Sequence, residues 1–195
     1  MTKPLSELLR TASERSLPVV RAIPDERLAD PTPCGEYDVR ALLGHLYQVV
    51  VNFQMLAAKK DVDFSAEAED VCGRADWRDS FAVETAALVD AWAAPGAEEG
   101  TAGAMGLPAA VVGRMVLGDL VIHAWDLARA TGQEYAPDSA VVDDVLVVFR
   151  ELAPTGRTMG AFGPEHPLPD TGAGASPWER LLALTGRDPA WTRPE

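Results

Sequence analysis

The chain has 195 residues, 47% of them hydrophobic, so it can fold around one sizeable core as a single domain covering residues 1–195. Its formal net charge of -13 argues against nucleic acid or an anionic membrane surface as a partner. No apolar run is long enough to span a membrane, and the first residues lack a signal-peptide core. We therefore expect a cytoplasmic protein with Cys34 and Cys72 as free thiols.

Hydrophobic residues recur at helical spacing along most of the chain, which predicts an all-α fold. The first predicted helix contains Pro18, where we expect a kink or a break. The second begins at Asp38, a residue type that caps helix N-termini well. The fourth ends at Gly132, a common C-terminal signal. The six predicted helices span about residues 5–23, 38–59, 77–94, 108–130, 139–152 and 177–185.

The fifth predicted helix has an alternative. Its apolar run over residues 141–149 is also compatible with a buried strand, although the sequence offers no second strand to pair with it. Residues 60–74 and 95–106 are expected to be loops, and an irregular segment rich in Gly and Pro begins at about residue 153. Long helices without strands imply an α-helical bundle.

An acid and an imidazole share one face of the fourth predicted helix. Asp119 and His123 are four residues apart, and side chains at this spacing lie on the same face. The face is apolar, since it also carries Val112, Val116, Leu120 and Leu127. An isolated buried carboxylate is costly, so Asp119 needs a partner, and a divalent metal ion is one such partner.

A third ligand is available on the second predicted helix, where His45 lies beside the apolar stripe. If the two helices face each other, His45, Asp119 and His123 converge. Two imidazoles and one carboxylate suit Zn(II), Fe(II) or Ni(II) and leave positions open for water, a thiolate or a carbonyl oxygen. The alternative is a metal-free core in which Asp119 hydrogen-bonds to His45 or His123.

Two further residues are candidates for roles at such a site. Asp126 follows His123 by three residues, so it is expected to hydrogen-bond the far nitrogen of a ligating His or to contact a substrate. The alternative for Asp126 is a surface pair with Arg129 or Arg40. Cys34 precedes the second helix, and proximity to a helix N-terminus lowers a thiol pKa, but we expect a structural thiol here rather than an activated one.

Two segments resemble the DinB-like, mycothiol-dependent maleylpyruvate isomerase superfamily, namely residues 32–46 (TPCGEYDVRALLGHL) and 119–132 (DLVIHAWDLARATG). The ending LLALTGRDP resembles an actinobacterial branch described as metal-binding. The resemblance implies a DinB-like four-helix bundle with additional C-terminal helices. It also implies a divalent metal, usually zinc or nickel, held by His45, Asp119 and His123. The isomerases have Glu at the acid position, one methylene longer than Asp119.

The resemblance also implies a class of activity, because other members of the superfamily look like thiol S-transferases that use mycothiol or bacillithiol. We therefore expect a metal-dependent and thiol-dependent transferase or isomerase. Its expected partners are mycothiol and a small electrophilic molecule. A non-catalytic metal- or metabolite-binding protein of the same fold is the alternative. Exposed apolar helix faces in bundles often pair with a second copy of the chain, so a homodimer is also compatible with the sequence.

Overall fold

The computed structural model describes residues 3–104, 106–169 and 174–194. Residue 105 of the predicted loop at 95–106 and residues 170–173 of the predicted irregular segment lie outside the described residues. Six α-helices dominate the described part of the chain. They are α1 (Leu5–Arg21), α2 (Val39–Ala57), α3 (Trp77–Ala93), α4 (Ala109–Thr131), α5 (Ser139–Thr158) and α6 (Pro177–Leu184). None of these helices is long and apolar enough to cross a bilayer.

The first four helices form a bundle in which α3 and α4 each pack against both α1 and α2. Helix α5 packs against α4, and α6 packs against α5. The expectation of an all-α, DinB-like four-helix bundle with additional C-terminal helices is therefore confirmed. Helix α4 is buried over most of its length because α1, α2 and α5 surround it.

Local signals place α2 and α4 where the sequence predicts them. The Asp38 carboxylate accepts a hydrogen bond from the Ala41 N–H at 2.8 Å, which satisfies one free donor at the start of α2. Gly132 ends α4 with a φ of 75°, a left-handed conformation that favours glycine. Because α2 and α4 pack against each other, their inward side chains meet in the bundle interior.

Prolines interrupt the helices less than expected. Helix α1 continues through Pro18 to Arg21, so the expected break is absent. Burial of Val19 and Val20 holds the last turn in the core, and the Ala22 N–H donates to the Pro18 carbonyl at 3.1 Å. A proline near a helix end removes only one donor, which this packing offsets.

Helix α5 also extends beyond its predicted end at residue 152, since it runs through Pro154 to Thr158. Ala153 is fully buried, and the Thr158 hydroxyl donates to the Pro154 carbonyl at 3.1 Å. The irregular segment therefore begins later than about residue 153, and the strand alternative for 141–149 is wrong. The predicted loop at 95–106 contributes to a short hairpin, in which β1 (Thr101–Ala102) pairs antiparallel with β2 (Leu107–Pro108).

Candidate functional site

Helices α2 and α4 bring His45 and His123 together. Their ring centroids lie 5.2 Å apart with the ring planes at 89°. His123 is buried with 6% of its surface exposed, whereas His45 is partly exposed. The two predicted imidazoles, which come from separate helices, are therefore neighbours at one place in the bundle.

Asp119 lies one helical turn before His123, and its Oδ1 atom is 3.8 Å from His123 Nε2. Burial raises the pKa of Asp119, while the nearby His123 and Arg187 act in the opposite direction. The side chain nevertheless keeps 28% of its surface accessible. Protein atoms therefore desolvate this carboxylate although part of its surface remains accessible. Within the described residues, no hydrogen-bond donor contacts Asp119.

Asp126 is fully buried behind His123. Its Oδ2 atom lies 3.0 Å from His123 Nδ1 and accepts a hydrogen bond from Arg187 Nη2 at 3.0 Å. Burial alone would raise the pKa of Asp126, but Arg187 and the His123 hydrogen bond outweigh it and hold the pKa below its ordinary value. The surface-pair interpretation is wrong, since Arg129 donates to a backbone carbonyl and Arg40 pairs with an exposed carboxylate elsewhere.

These contacts assign the two ring nitrogens of His123 different roles. An ionised carboxylate only accepts hydrogen bonds, so Nδ1 carries the proton and donates it to Asp126. In a neutral His123 ring, Nε2 then presents a lone pair toward Asp119, whereas in a protonated ring it donates toward that carboxylate. The complete burial of Asp126 favours this hydrogen-bonding role over contact with a substrate.

His45 is suited to act as a ligand because it is neutral. Burial, followed by the charges of His123 and Arg187, lowers the pKa of His45 to about 4. Tyr37 stacks on the His45 ring with centroids 5.2 Å apart and planes at 15°, which restricts the orientation of the imidazole. Neither ring nitrogen of His45 has a hydrogen-bond partner among residues 3–104, 106–169 and 174–194.

The donor types, two imidazoles and one carboxylate, are ones that a divalent metal ion prefers, although their ligand atoms do not all lie within 4.8 Å of one another. Within the described residues, none of the three side chains accepts a hydrogen bond from a protein donor. Ligands of a tetrahedral zinc ion, bound at about 2.1 Å, lie about 3.4 Å apart. The 3.8 Å separation of His123 Nε2 and Asp119 Oδ1 is close to that value. Ligation by His45, Asp119 and His123 stays a prediction.

A second group of potential ligands overlaps with the predicted set. One ligand atom each from Cys34, His123 and Asp126 lie within 4.8 Å of one another, and in the described part of the chain no other group of three meets this spacing. A shared ion on the predicted set therefore requires a side-chain adjustment. In the overlapping group, Asp126 already accepts from Arg187 and His123, which leaves it poorly suited to ligate a metal.

Cys34 lies in this group, but its thiol is not activated. Burial raises the pKa of Cys34 to about 11, and the opposing effect of Arg187 is smaller. The alternative in which the N-terminus of α2 lowers this pKa is therefore wrong, and the raised pKa favours the structural thiol that we expected. Desolvation of the sulfur dominates because the loop before α2 folds against α4 and the C-terminal segment.

Arg187 is the site residue that the sequence analysis missed. It lies beyond α6, where Gly186 adopts a φ of 85° and turns the chain back toward α4. The Arg187 N–H donates to the Leu182 carbonyl at 2.9 Å. An Arg that follows a helix-ending Gly is visible in the sequence, but nothing local indicates that it reaches the bundle interior.

Comparison with known proteins agrees with this architecture. The family model described as mycothiol maleylpyruvate isomerase N-terminal domain matches residues 9–128. That range contains Cys34, His45 and the site residues of α4, but not Arg187. Two uncharacterized proteins of Mycobacterium tuberculosis, one from strain CDC 1551 / Oshkosh and one from strain H37Rv, are each 31% identical over 170 residues. Each alignment covers 83% of this chain and 86% of the relative.

No solved structure matches the chain significantly. The family match covers more than half of the sequence, and the resemblance noted in its motifs is thereby confirmed. The chain belongs to the mycothiol maleylpyruvate isomerase N-terminal domain family.

Proposed function

We propose that the protein binds one divalent metal ion through His45, Asp119 and His123 and acts on a small electrophilic molecule with the help of a low-molecular-weight thiol. The expected ion is Zn(II), with Ni(II) or Fe(II) as alternatives. The reaction class is S-transfer or thiol-dependent isomerisation. Mycothiol is the thiol that the family's description suggests for this chain.

One observation carries the metal part of this proposal. His123 Nε2 and Asp119 Oδ1 face each other at 3.8 Å, and in a neutral His123 whose Nδ1 donates to Asp126 both atoms are acceptors. Two facing acceptors repel each other in a desolvated site unless a cation or a proton lies between them. His45 adds a third acceptor from the opposite helix. A divalent cation satisfies all three.

The chain's own residues contribute orientation and charge. Asp126 holds the His123 ring so that Nε2 faces Asp119, and Tyr37 restricts the His45 ring. Asp119 supplies one negative charge beside two neutral imidazoles, so a divalent ion keeps a net positive charge there. When bound, such an ion lowers the pKa of a coordinated thiol and makes it a nucleophilic thiolate at neutral pH.

A thiol-consumption assay tests the catalytic part of the proposal. Untagged protein, loaded with zinc, is mixed with mycothiol and a panel of small electrophiles, and free thiol is followed over time. We expect thiol loss that stops when a chelator is added and in His123→Ala. His166→Ala is the matched control, since His166 pairs with Asp188 outside the site, and it should keep the activity.

A non-catalytic metal-binding protein is the second candidate, and one observation favours it. Cavities of about 370 Å³ and 280 Å³ lie away from His45 and His123. The first is lined by residues such as Tyr135 and Trp178, and the second by Arg129 and its neighbours. Stoichiometric metal binding without thiol turnover on any electrophile would support this candidate over the enzyme.

A further inference from the structure

We propose that Arg187 is a positioning residue that reaches from the C-terminal segment into the site, orients Asp126 and thereby sets which ring nitrogen of His123 carries the proton. Metal binding is then coupled to the contact between Arg187 and Asp126. The coupling rests on the proposed function, whereas the effect on the His123 ring does not.

The geometry of the contact supports orientation rather than simple charge pairing. Arg187 is buried, with 7% of its surface exposed, and approaches both oxygens of Asp126. Nη2 donates to Oδ2 at 3.0 Å, and Nε donates to Oδ1 over a longer 3.4 Å. A planar guanidinium that contacts both oxygens fixes the plane of a carboxylate. Oδ2 is thereby held 3.0 Å from His123 Nδ1.

The Arg187 side chain is itself held in place by the turn that follows α6. Its Nη1 atom donates to the Thr185 carbonyl at 2.8 Å, and its backbone N–H donates to the Leu182 carbonyl at 2.9 Å. Gly186 permits this turn through its φ of 85°. The guanidinium therefore enters the site in one orientation.

The same segment is fastened to the bundle at two other points. Arg129 Nε donates to the Trp191 carbonyl at 3.0 Å. Arg193 Nη1 donates to Asp30 Oδ2 at 3.0 Å. These contacts hold the segment without touching the metal-ligand side chains. Arg193 therefore offers a control for loss of docking contacts that leaves the Asp126 pair intact.

The chain of contacts predicts a reciprocal coupling. A metal on His123 Nε2 requires the proton on Nδ1, which is the form that an oriented Asp126 selects. Loss of such an outer hydrogen-bond partner commonly lowers metal affinity about 10- to 100-fold. By linkage, a bound ion stabilises the Arg187–Asp126 contact by the same factor that this contact adds to ion affinity.

The first test uses metal-free protein and long-range proton–nitrogen NMR of the His rings, of which the chain has three. In the wild type we expect His123 to carry its proton on Nδ1 alone. In Arg187→Gln we expect a mixture of the two ring forms. Arg193→Gln should keep the wild-type pattern. Because no metal is present, this result is independent of the proposed function.

The second test is a Co(II) titration followed by the visible spectrum of the same three proteins and of Arg187→Lys. We expect Arg187→Gln to bind at least about tenfold more weakly than the wild type. Arg187→Lys should be intermediate, since an ammonium keeps the charge but does not hold both carboxylate oxygens. Arg193→Gln should match the wild type.

A folded Arg187→Gln protein with a single Nδ1–H form of His123 overturns the proposal. If that variant does not fold, Arg187→Lys decides, because it keeps the buried positive charge. Wild-type ring signals together with wild-type Co(II) affinity in Arg187→Lys also overturn it. Failure of the wild type to bind Co(II) refutes the proposed metal site, and the NMR result then still decides the role of Arg187.

Discussion

His123 and Asp119 face each other on successive turns of α4, with the ring Nε2 atom 3.8 Å from the carboxylate Oδ1 atom. The other ring nitrogen of His123 is occupied by Asp126. If the His123 ring is neutral, the metal-free arrangement contains a desolvated repulsion that a bound cation relieves, and sites shaped for binding often sacrifice stability in this way.

Asp119→Asn should stabilise the metal-free protein and abolish its stabilisation by metal. The amide removes a desolvated charge and offers a donor to His123 Nε2, so we expect a gain of about 1 kcal/mol in the free energy of unfolding. Urea unfolding in chelator and in zinc measures both effects. Asp90→Asn, on the exposed face of α3, is the control and should behave like the wild type in both conditions.

The opposite result would identify the metal-free alternative. If Asp119→Asn is less stable than the wild type in chelator, Asp119 is stabilised by a protonated His123 and needs no cation. The sign of the change in unfolding free energy therefore distinguishes the two interpretations of this pair of residues.

Gly186→Ala should weaken both the fold and the site. A Cβ at this position adopts a strained positive φ and lies 3.1 Å from the Pro164 carbonyl oxygen, so the turn that carries Arg187 must shift. We expect a loss of about 1–2 kcal/mol in stability and weaker Co(II) binding. Gly96→Ala has a similar φ of 79° but meets nothing within 4 Å. It should lose stability and keep its Co(II) affinity, and equal Co(II) affinity in both variants would contradict the account.

Gly118→Ala should destabilise the packing of α4 on α5. A Cβ there would overlap the ring of Phe149, which is buried. Overpacking of this kind costs about 1–3 kcal/mol. The double variant Gly118→Ala/Phe149→Leu should recover part of the loss, because the smaller side chain makes room for the methyl group. Strictly additive unfolding free energies in the double-mutant cycle would show that the two residues do not compete for this space.

The start of α6 should depend on pH through Glu179. Hydrogen bonds from the Ser176 hydroxyl and backbone N–H lower the pKa of Glu179. Because the folded-state pKa lies below the unfolded one, the contribution is present above the unfolded pKa and is lost as the pH falls through the folded one. An NMR titration of the Glu179 carboxyl group should show its midpoint rising in Ser176→Ala. An unchanged midpoint would mean that the hydrogen bonds from Ser176 to the Glu179 carboxylate are not formed in solution.

Local patterns in the sequence were sufficient for most of the bundle. Helical periodicity and the Asp38 and Gly132 signals predicted α2 and α4 to within about two residues, since both depend on interactions within a few turns. The same periodicity placed His45 on one helix and Asp119 and His123 on another. The structure brings these three residues into one region, while their shared ligation stays a prediction.

The remaining features depend on contacts that are distant in sequence. Arg187 reaches Asp126 only because the chain turns at Gly186, and no local pattern encodes its target. The raised pKa of Cys34 reflects burial by other segments, whereas a helix N-terminus on its own suggests the opposite direction. The extension of α5 past Pro154 likewise depends on core packing of Ala153, which outweighs the local propensity to end there.

The most direct test of the central claim is the metal content of untagged protein after incubation with zinc and removal of the free ion. We expect about one ion per chain in the wild type and in His166→Ala, and close to none in His45→Ala, Asp119→Ala and His123→Ala. Full zinc occupancy in both folded histidine variants of the site, or a wild type that retains no zinc, would contradict it.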